Sequence, residues 1–283
     1  IGFTNGIAVV IFIAQIKDFL GLRIDHLPGE FFGKMEALVT HLNTVDIPTV
    51  ALSVASIVVL LSWNRLARRF SALSRLPGPL AVLVLATVAN AILHLPVETI
   101  GSRFNGIPQQ LPGFALPELS LATLGKLISP ALTIALLGAI ESLLSARVAD
   151  GAIDDRHDPN QELIAQGIAN LVAPLFGGFA ATGAIARTAT NVRTGGRTPV
   201  AGIVHALVLL AVVLVLAPFA SHIPLASLSA IVVVVAINMG EWHEFREIRR
   251  FGIAYRTTLL STFFVTVFFA LSLAVELGMV LAS

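Results

Sequence analysis

The sequence predicts an all-α polytopic membrane protein, and three observations carry that prediction. Apolar residues make up 56% of the 283 and charged residues only 12%, where soluble domains carry about a quarter charged. Mean hydropathy is +0.87. Apolar runs of the length a bilayer requires, about 20 residues, recur along the chain between Pro and Gly breakers. So apolar a chain is not a solvated coil. Its 18 basic and 17 acidic residues, net charge +1, lack the basic excess that nucleic acid demands. With no cysteine, disulfides, thiolate metal sites and a cysteine nucleophile are excluded for these residues.

In chain order, hydropathy and the breakers place spans at 2–22, 48–64, 78–96, 121–146, 161–179, 199–220, 225–240, 257–271 and 273–282. No basic segment precedes the first run, so it does not resemble a signal peptide and reads as internal to a longer polypeptide. The span 121–146 carries a stripe of small residues every three or four positions: Ala131, Ala135, Gly138, Ser142 and Ser145, continued by Ala149. Such a stripe lets a second helix approach closely. Glu141 lies beside it and should face the protein interior. Residues 147–158 read as a solvated, ion-paired connection, since the cluster Asp154, Asp155 and Asp158 lacks EF-hand spacing. In 161–179, Gly167, Asn170, Pro174 and Gly177 fall on one helical face, read first as packing.

Residues 180–198 break the pattern. They are too polar for a lipid-facing helix, yet hydrophobic runs flank them. If they form a span, twelve of the eighteen basic residues, including those at 65–75, 147–156 and 246–256, fall on one membrane face. Five fall on the other: Lys17, Arg23, Lys34, Arg103 and Lys126. That asymmetry is the positive-inside pattern, and a loop at 180–198 would destroy it. Non-helical backbone at membrane depth must be buried or line a wet cavity, and broken spans mark binding sites in secondary transporters. The expected arrangement is an extended stretch over Phe179–Gly183, then a half-helix from Ala184 to about Thr194 that ends at Gly195-Gly196.

A half-helix of that kind offers free N–H groups and the positive end of its dipole to an anion. Arg187 in its first turn adds a fixed charge of a type retained in membranes where it faces a cavity or a counter-charge. Ile185, Ala186 and Arg187 are therefore the expected anion well, with Thr182, Thr188 and Asn191 near it. A partly desolvated carboxyl binds a proton more readily than one in water, which makes Glu141 the candidate proton carrier; pairing of Glu141 with Arg187 or another cation, to hold two helices, is the structural alternative. No enzyme signature is present. His243-Glu-Phe-Arg-Glu247 lacks the second histidine of a zinc-protease helix, and P-loop, dinucleotide and nucleophile-elbow motifs do not occur. His94 and His205 have no second ligand at helical spacing, so neither a metal nor a cofactor is expected.

Gly138-Ala-Ile-Glu-Ser-Leu-Leu-Ser-Ala-Arg-Val-Ala-Asp-Gly151, Asp155-Arg-His-Asp-Pro-Asn-Gln-Glu-Leu-Ile-Ala-Gln-Gly-Ile-Ala-Asn170, Gly177-Gly178, Thr182-Gly-Ala-Ile-Ala-Arg187 and Thr194-Gly-Gly-Arg-Thr198 together resemble the signature of the SulP anion transporters, bacterial relatives of the SLC26 exchangers. The resemblance implies an inverted seven-span-repeat transporter, with core and gate domains and alternating access, an architecture shared with UraA-like proteins. Residues 1–96 then correspond to the fifth to seventh spans, in the gate, and 97–120 to an extracellular or periplasmic connection. Residues 121–220 match the eighth to eleventh spans, in the core, and 221–283 the twelfth to fourteenth, in the gate. It further implies that four earlier spans and a cytoplasmic STAS domain belong to the natural protein, that the protein is a homodimer, and that the anion site falls on Ile185, Ala186 and Arg187 with Glu141 on the eighth span. Ala186 departs from relatives with serine there, which removes a hydroxyl contact but not a backbone one.

The function so expected is proton-coupled symport of an inorganic anion or small carboxylate (sulfate, bicarbonate, chloride or dicarboxylate) across the inner membrane, with sodium coupling as the variant. A nucleobase permease of the same architecture and a non-transporting, anion-sensitive membrane scaffold are the alternatives.

Overall fold

A computed structural model describes residues 1–69, 76–110, 112–117 and 120–269. The expected span 273–282 lies outside the described residues, and 257–271 reaches past the last of them. Every regular element described is helical, and the chain divides into two compact units, one of residues 1–107 and 216 onward, the other of 108–215.

The first unit contains α1 (Gly2–Leu20), α2 (Phe31–Thr40), α3 (Ile47–Arg69), α4 (Gly78–Leu93), α5 (Ile100–Phe104), α10 (Leu225–Met239), α11 (Trp242–Arg246) and α12 (Ile253–Phe268). Its centre is α1, packed against α10 and α12. Small residues make the approach possible. A Cβ on Gly2 would stand 2.3 Å from the Leu259 carbonyl oxygen, and one on Gly6 2.5 Å from Thr266 Cβ, so α1 and α12 touch nearly backbone to backbone. Several buried polar groups in this apolar interior find partners on the backbone, because an unmet one is costly there. Ser53, fully buried on α3, donates to the carbonyls of Phe19 (3.0 Å) and Ala226 (3.3 Å), tying three helices together. Asn5, also fully buried, pairs with both the N–H and the C=O of Glu241 just past α10.

Hydropathy did not anticipate α2. It is a short helix lying on a small apolar cluster of Leu22, Ile24 and Leu38 while Phe32 stays exposed, so its apolar content is one-sided and falls below that of a span. Trp63 on α3 donates from its indole N–H to the Leu76 carbonyl at 2.8 Å, fixing the start of α4.

The second unit contains α6 (Leu121–Ile153), α7 (Pro159–Val172), α8 (Ile185–Arg193) and most of α9 (Pro199–Ala220). α6 runs seven residues beyond the expected end at 146. Hydropathy marks where the apolar stretch ends, whereas the helix ends where its backbone stops, at Asp154 in the left-handed region (φ +55°), a conformation Asp tolerates. Asp150 then closes the turn, accepting from the His157 backbone N–H (3.0 Å) and facing its Nδ1 at 2.7 Å. α9 exposes Val200, Ile203, Leu207, Val208, Val215 and Phe219. A helix that apolar on its outer surface belongs in lipid or against other protein.

The candidate anion site

The residues expected to form the site lie within the second unit, on α6, α7, α8 and the stretch before α8. α7 starts with Pro159 at its first turn and the Asp158 carboxylate accepting from Asn160 N (2.9 Å) and Gln161 N (3.3 Å), a strong start signal. The reading of 161–179 as one helix needs correction. α7 ends at Val172, a 3-10 turn covers Ala173–Phe176, and Gly177 (φ +70°) turns the chain out of it. Pro174 has no N–H to continue the ladder. At Gly167, on the face read as packing, no atom of the described residues lies within 4 Å of a Cβ position.

Asn170, from the same face, has a different role. It accepts the Ala181 N–H (2.8 Å) and donates to the Ala181 carbonyl (2.9 Å), which also receives Gln166 Nε2. The non-helical stretch ahead of α8 is thus pinned by side chains that serve as its missing strand partner. On its other side, Thr182 Oγ1 donates to the Gly138 carbonyl at 2.7 Å. Gly183 comes so close to α6 that an added Cβ would stand 3.2 Å from Ser145 Cβ and 3.3 Å from Ser142 Cα. The small-residue stripe of α6 is therefore occupied by this backbone and by α8, which packs along α6. Ser142 and Ser145 are buried in that contact.

α8 begins at Ile185, with Ala184 as its N-cap and no side chain accepting there. The first N–H groups of a helix have no partner within it, so the amides of Ile185, Ala186 and Arg187 are available. Arg187 and Ile185 are exposed, and the Ala186 side chain lies outside the described residues. Thr188 Oγ1 lies 2.7 Å from Ser145 Oγ, joining α8 to α6. At the far end, Gly196 N donates to Asn191 O (2.9 Å) and Gly195 N to Val192 O (3.0 Å), with Gly195 at φ +97°. That is a Schellman stop. The Asn191 side chain folds over Gly196, away from the open end of the helix.

Glu141 is half-buried on α6. Among the described residues no ion pair joins it to Arg187, so that pairing is not realised. Ser142, its neighbour, donates instead to Glu162 on α7 at 2.6 Å, a second carboxylate that the spacing of residues did not single out. Thr182 and Thr188 are brought to the start of α8, each with its hydroxyl already engaged by α6, the use that membrane helices most often make of such residues.

An interrupted helix whose uncapped N-terminus is held by side chains of its neighbours, in a chain of apolar helices, defines the class: a multi-pass helical membrane protein with a broken span. The sequence model of the Sulfate permease family matches residues 1–272, and the chain belongs to that family. YvdB of Bacillus subtilis (strain 168), whose name assigns it to sulfate transport, is 46% identical over 284 residues, covering all of this chain and 52% of that protein. The bicarbonate transporter BicA of Synechocystis sp. is 30% identical over the whole chain and 48% of its own length. The chain spans about half the length of these relatives. Among solved structures, the transmembrane domain of a cyanobacterial BicA superposes with a TM-score of 0.80 at 30% identity, over 97% of this chain and 67% of that one. SLC26A9, at 22% identity and TM-score 0.86 over 99% of this chain and 44% of that one, shares the fold.

Proposed function

We propose that the chain is part of a secondary transporter for an inorganic anion in the inner membrane, with the amides of Ile185, Ala186 and Arg187 and the Arg187 guanidinium as the anion well and Thr182 and Thr188 at its edge. One observation carries the reading: α8 starts in non-helical chain with no side chain over its amides, while Asn170, Gln166 and Thr182 hold that start in place. A fixed set of unpaired N–H groups at a dipole's positive end binds a small anion without side-chain chemistry. Relatives named for sulfate and for bicarbonate support this substrate class.

Residues 121–220 act as the moving core and 1–96 with 221–283 as the gate, in the same proposal, and the complete protein works as a homodimer. Glu141 carries the coupling proton. A carrier that reorients with an uncompensated carboxylate in a low-dielectric interior meets a large barrier, so proton uptake by Glu141 lets the loaded form cross. The test is uptake of radiolabelled sulfate, bicarbonate, chloride and fumarate by the complete protein in liposomes with imposed pH and sodium gradients. Glu141→Gln should leave anion exchange but abolish accumulation driven by the pH gradient; accumulation that persists rejects the proton role. A sodium gradient that alone drives uptake assigns the coupling to sodium.

A further inference from the structure

The chain leaves the first unit after residue 107 and returns to it at 216. The stretches on either side of that excursion are laced to each other inside the first unit. Ile100 N donates to Ile223 O (3.0 Å), Gly101 N to Ser221 O (2.7 Å) and Leu225 N to Glu98 O (2.9 Å), around an antiparallel bridge between Thr99 and Pro224. The fit is tight enough that a Cβ on Gly101 would stand 2.9 Å from the Ser221 carbonyl oxygen. Thr99 and Ser102 form a reciprocal capping box over α5, which sets Arg103 facing back along the ladder. Its guanidinium meets Asp18 at the end of α1 at 2.6 Å and also Glu98 on the ladder itself.

We propose that Arg103 is a positioning residue: through Asp18 and Glu98 it ties the outgoing segment to α1, the backbone ladder ties the returning segment to the outgoing one, and the chain bends only outside this anchor, at Asn105-Gly106 and at Pro218. Surface ion pairs contribute little on average, but a guanidinium shared by two carboxylates and only 23% exposed is of the networked kind that does. Partial burial by itself would weaken the charge on Arg103, yet the two carboxylates more than offset that and raise its pKa above the ordinary value. Arg103 therefore keeps its charge at any physiological pH. Immediately past it, Asn105 (φ +60°) and Gly106 (φ +94°) sit in left-handed backbone. On the returning side, Pro218 lies inside α9 and has no N–H for the Leu214 carbonyl, the usual cause of a helix kink. Hinges of transporters and enzymes are a few residues that absorb φ/ψ change far from the chemistry.

The inference rests on the transporter reading for its role in turnover, and its test separates the two. The complete protein carries Thr99→Cys and Pro224→Cys in a stretch free of native cysteine; facing residues of an antiparallel bridge suit a disulfide. Oxidised and reduced forms of this variant should take up radiolabelled sulfate and bicarbonate at rates within about twofold, because the ladder does not open. Arg103→Ala should lower the rate about fivefold with the half-saturating concentration unchanged, and Pro218→Ala, which restores an N–H for the Leu214 carbonyl, about threefold. Amide exchange at Ile100, Gly101 and Leu225 should speed up about tenfold in Arg103→Ala, whether or not any anion moves. A disulfide that stops uptake, or Arg103→Ala with exchange unchanged, overturns the anchor. Absence of flux in the unsubstituted protein with faster exchange in Arg103→Ala keeps the anchor and rejects the transporter reading instead.

Discussion

Replacing Asn170 with Ala removes both hydrogen bonds to the Ala181 backbone, at 2.8 and 2.9 Å, and leaves Gln166 to hold the carbonyl alone. Side-chain hydrogen bonds within membrane proteins contribute about 0.6 kcal/mol each, with a ceiling near 1.7. Two of them give about 1–2 kcal/mol, and the Ala181 N–H left without a partner adds to that only if water cannot reach it. Because each 1.4 kcal/mol is about tenfold in an equilibrium constant, the population with α8 correctly presented falls by roughly five- to thirtyfold if its placement depends on this clamp alone. The assay is anion binding to the purified complete protein by calorimetry, with sulfate and bicarbonate in turn, alongside amide exchange at Ala181. Affinity should drop within that range and Ala181 should lose protection. If Asn170→Ala binds anion within twofold of the parent while Ala181 exchanges freely, the uncapped α8 does not depend on its lead-in, and the argument that a pinned backbone makes the site is wrong.

The two glycines of this region should answer oppositely. Gly183→Ala forces its Cβ onto Ser142 and Ser145 and should lower thermal stability by about 1–3 kcal/mol, whereas Gly167→Ala, with open space around it, should be neutral or up to about 1 kcal/mol stabilising; a thermal-shift comparison of the two reads the difference. Gly6→Val drives a branched side chain into Thr266 and the Phe263 carbonyl, so it should abolish stable expression of folded protein in detergent-solubilised membranes, as judged by size-exclusion profile. Ser142→Ala leaves the Glu162 carboxylate without its 2.6 Å donor and should cost about 1–2 kcal/mol in the same thermal assay.

Much of the helical layout was legible because spans announce themselves through hydropathy, and 180–198 because its polarity interrupts them. Gly195-Gly196 marked the stop of α8 for a local reason: only glycine enters the left-handed region there without strain. The small residues of α6 also signalled a close neighbour, though not that the neighbour would be extended chain at Gly183 as much as helix. What spacing did not reveal was long-range pairing. Asn170 with Ala181, Ser142 with Glu162 and Thr182 with Gly138 join positions 11 to 44 residues apart, and hydrogen bonds of that kind impose no period on the sequence. α2 escaped notice because a one-sided helix of ten residues has neither the length nor the uniform hydrophobicity of a span.

Asn5 and Asn170 do the same thing in different units: each carboxamide lies against the backbone of one residue, accepting from its N–H and donating to its C=O. Each is in effect a β-ladder with a single rung, in which a side chain stands in for the second strand. Such a rung lets a polypeptide stop being helical in an oily interior without recruiting a sheet or a file of waters. It also makes the residue type exacting, since aspartate lacks the donor and glutamine sets the amide one methylene too far out.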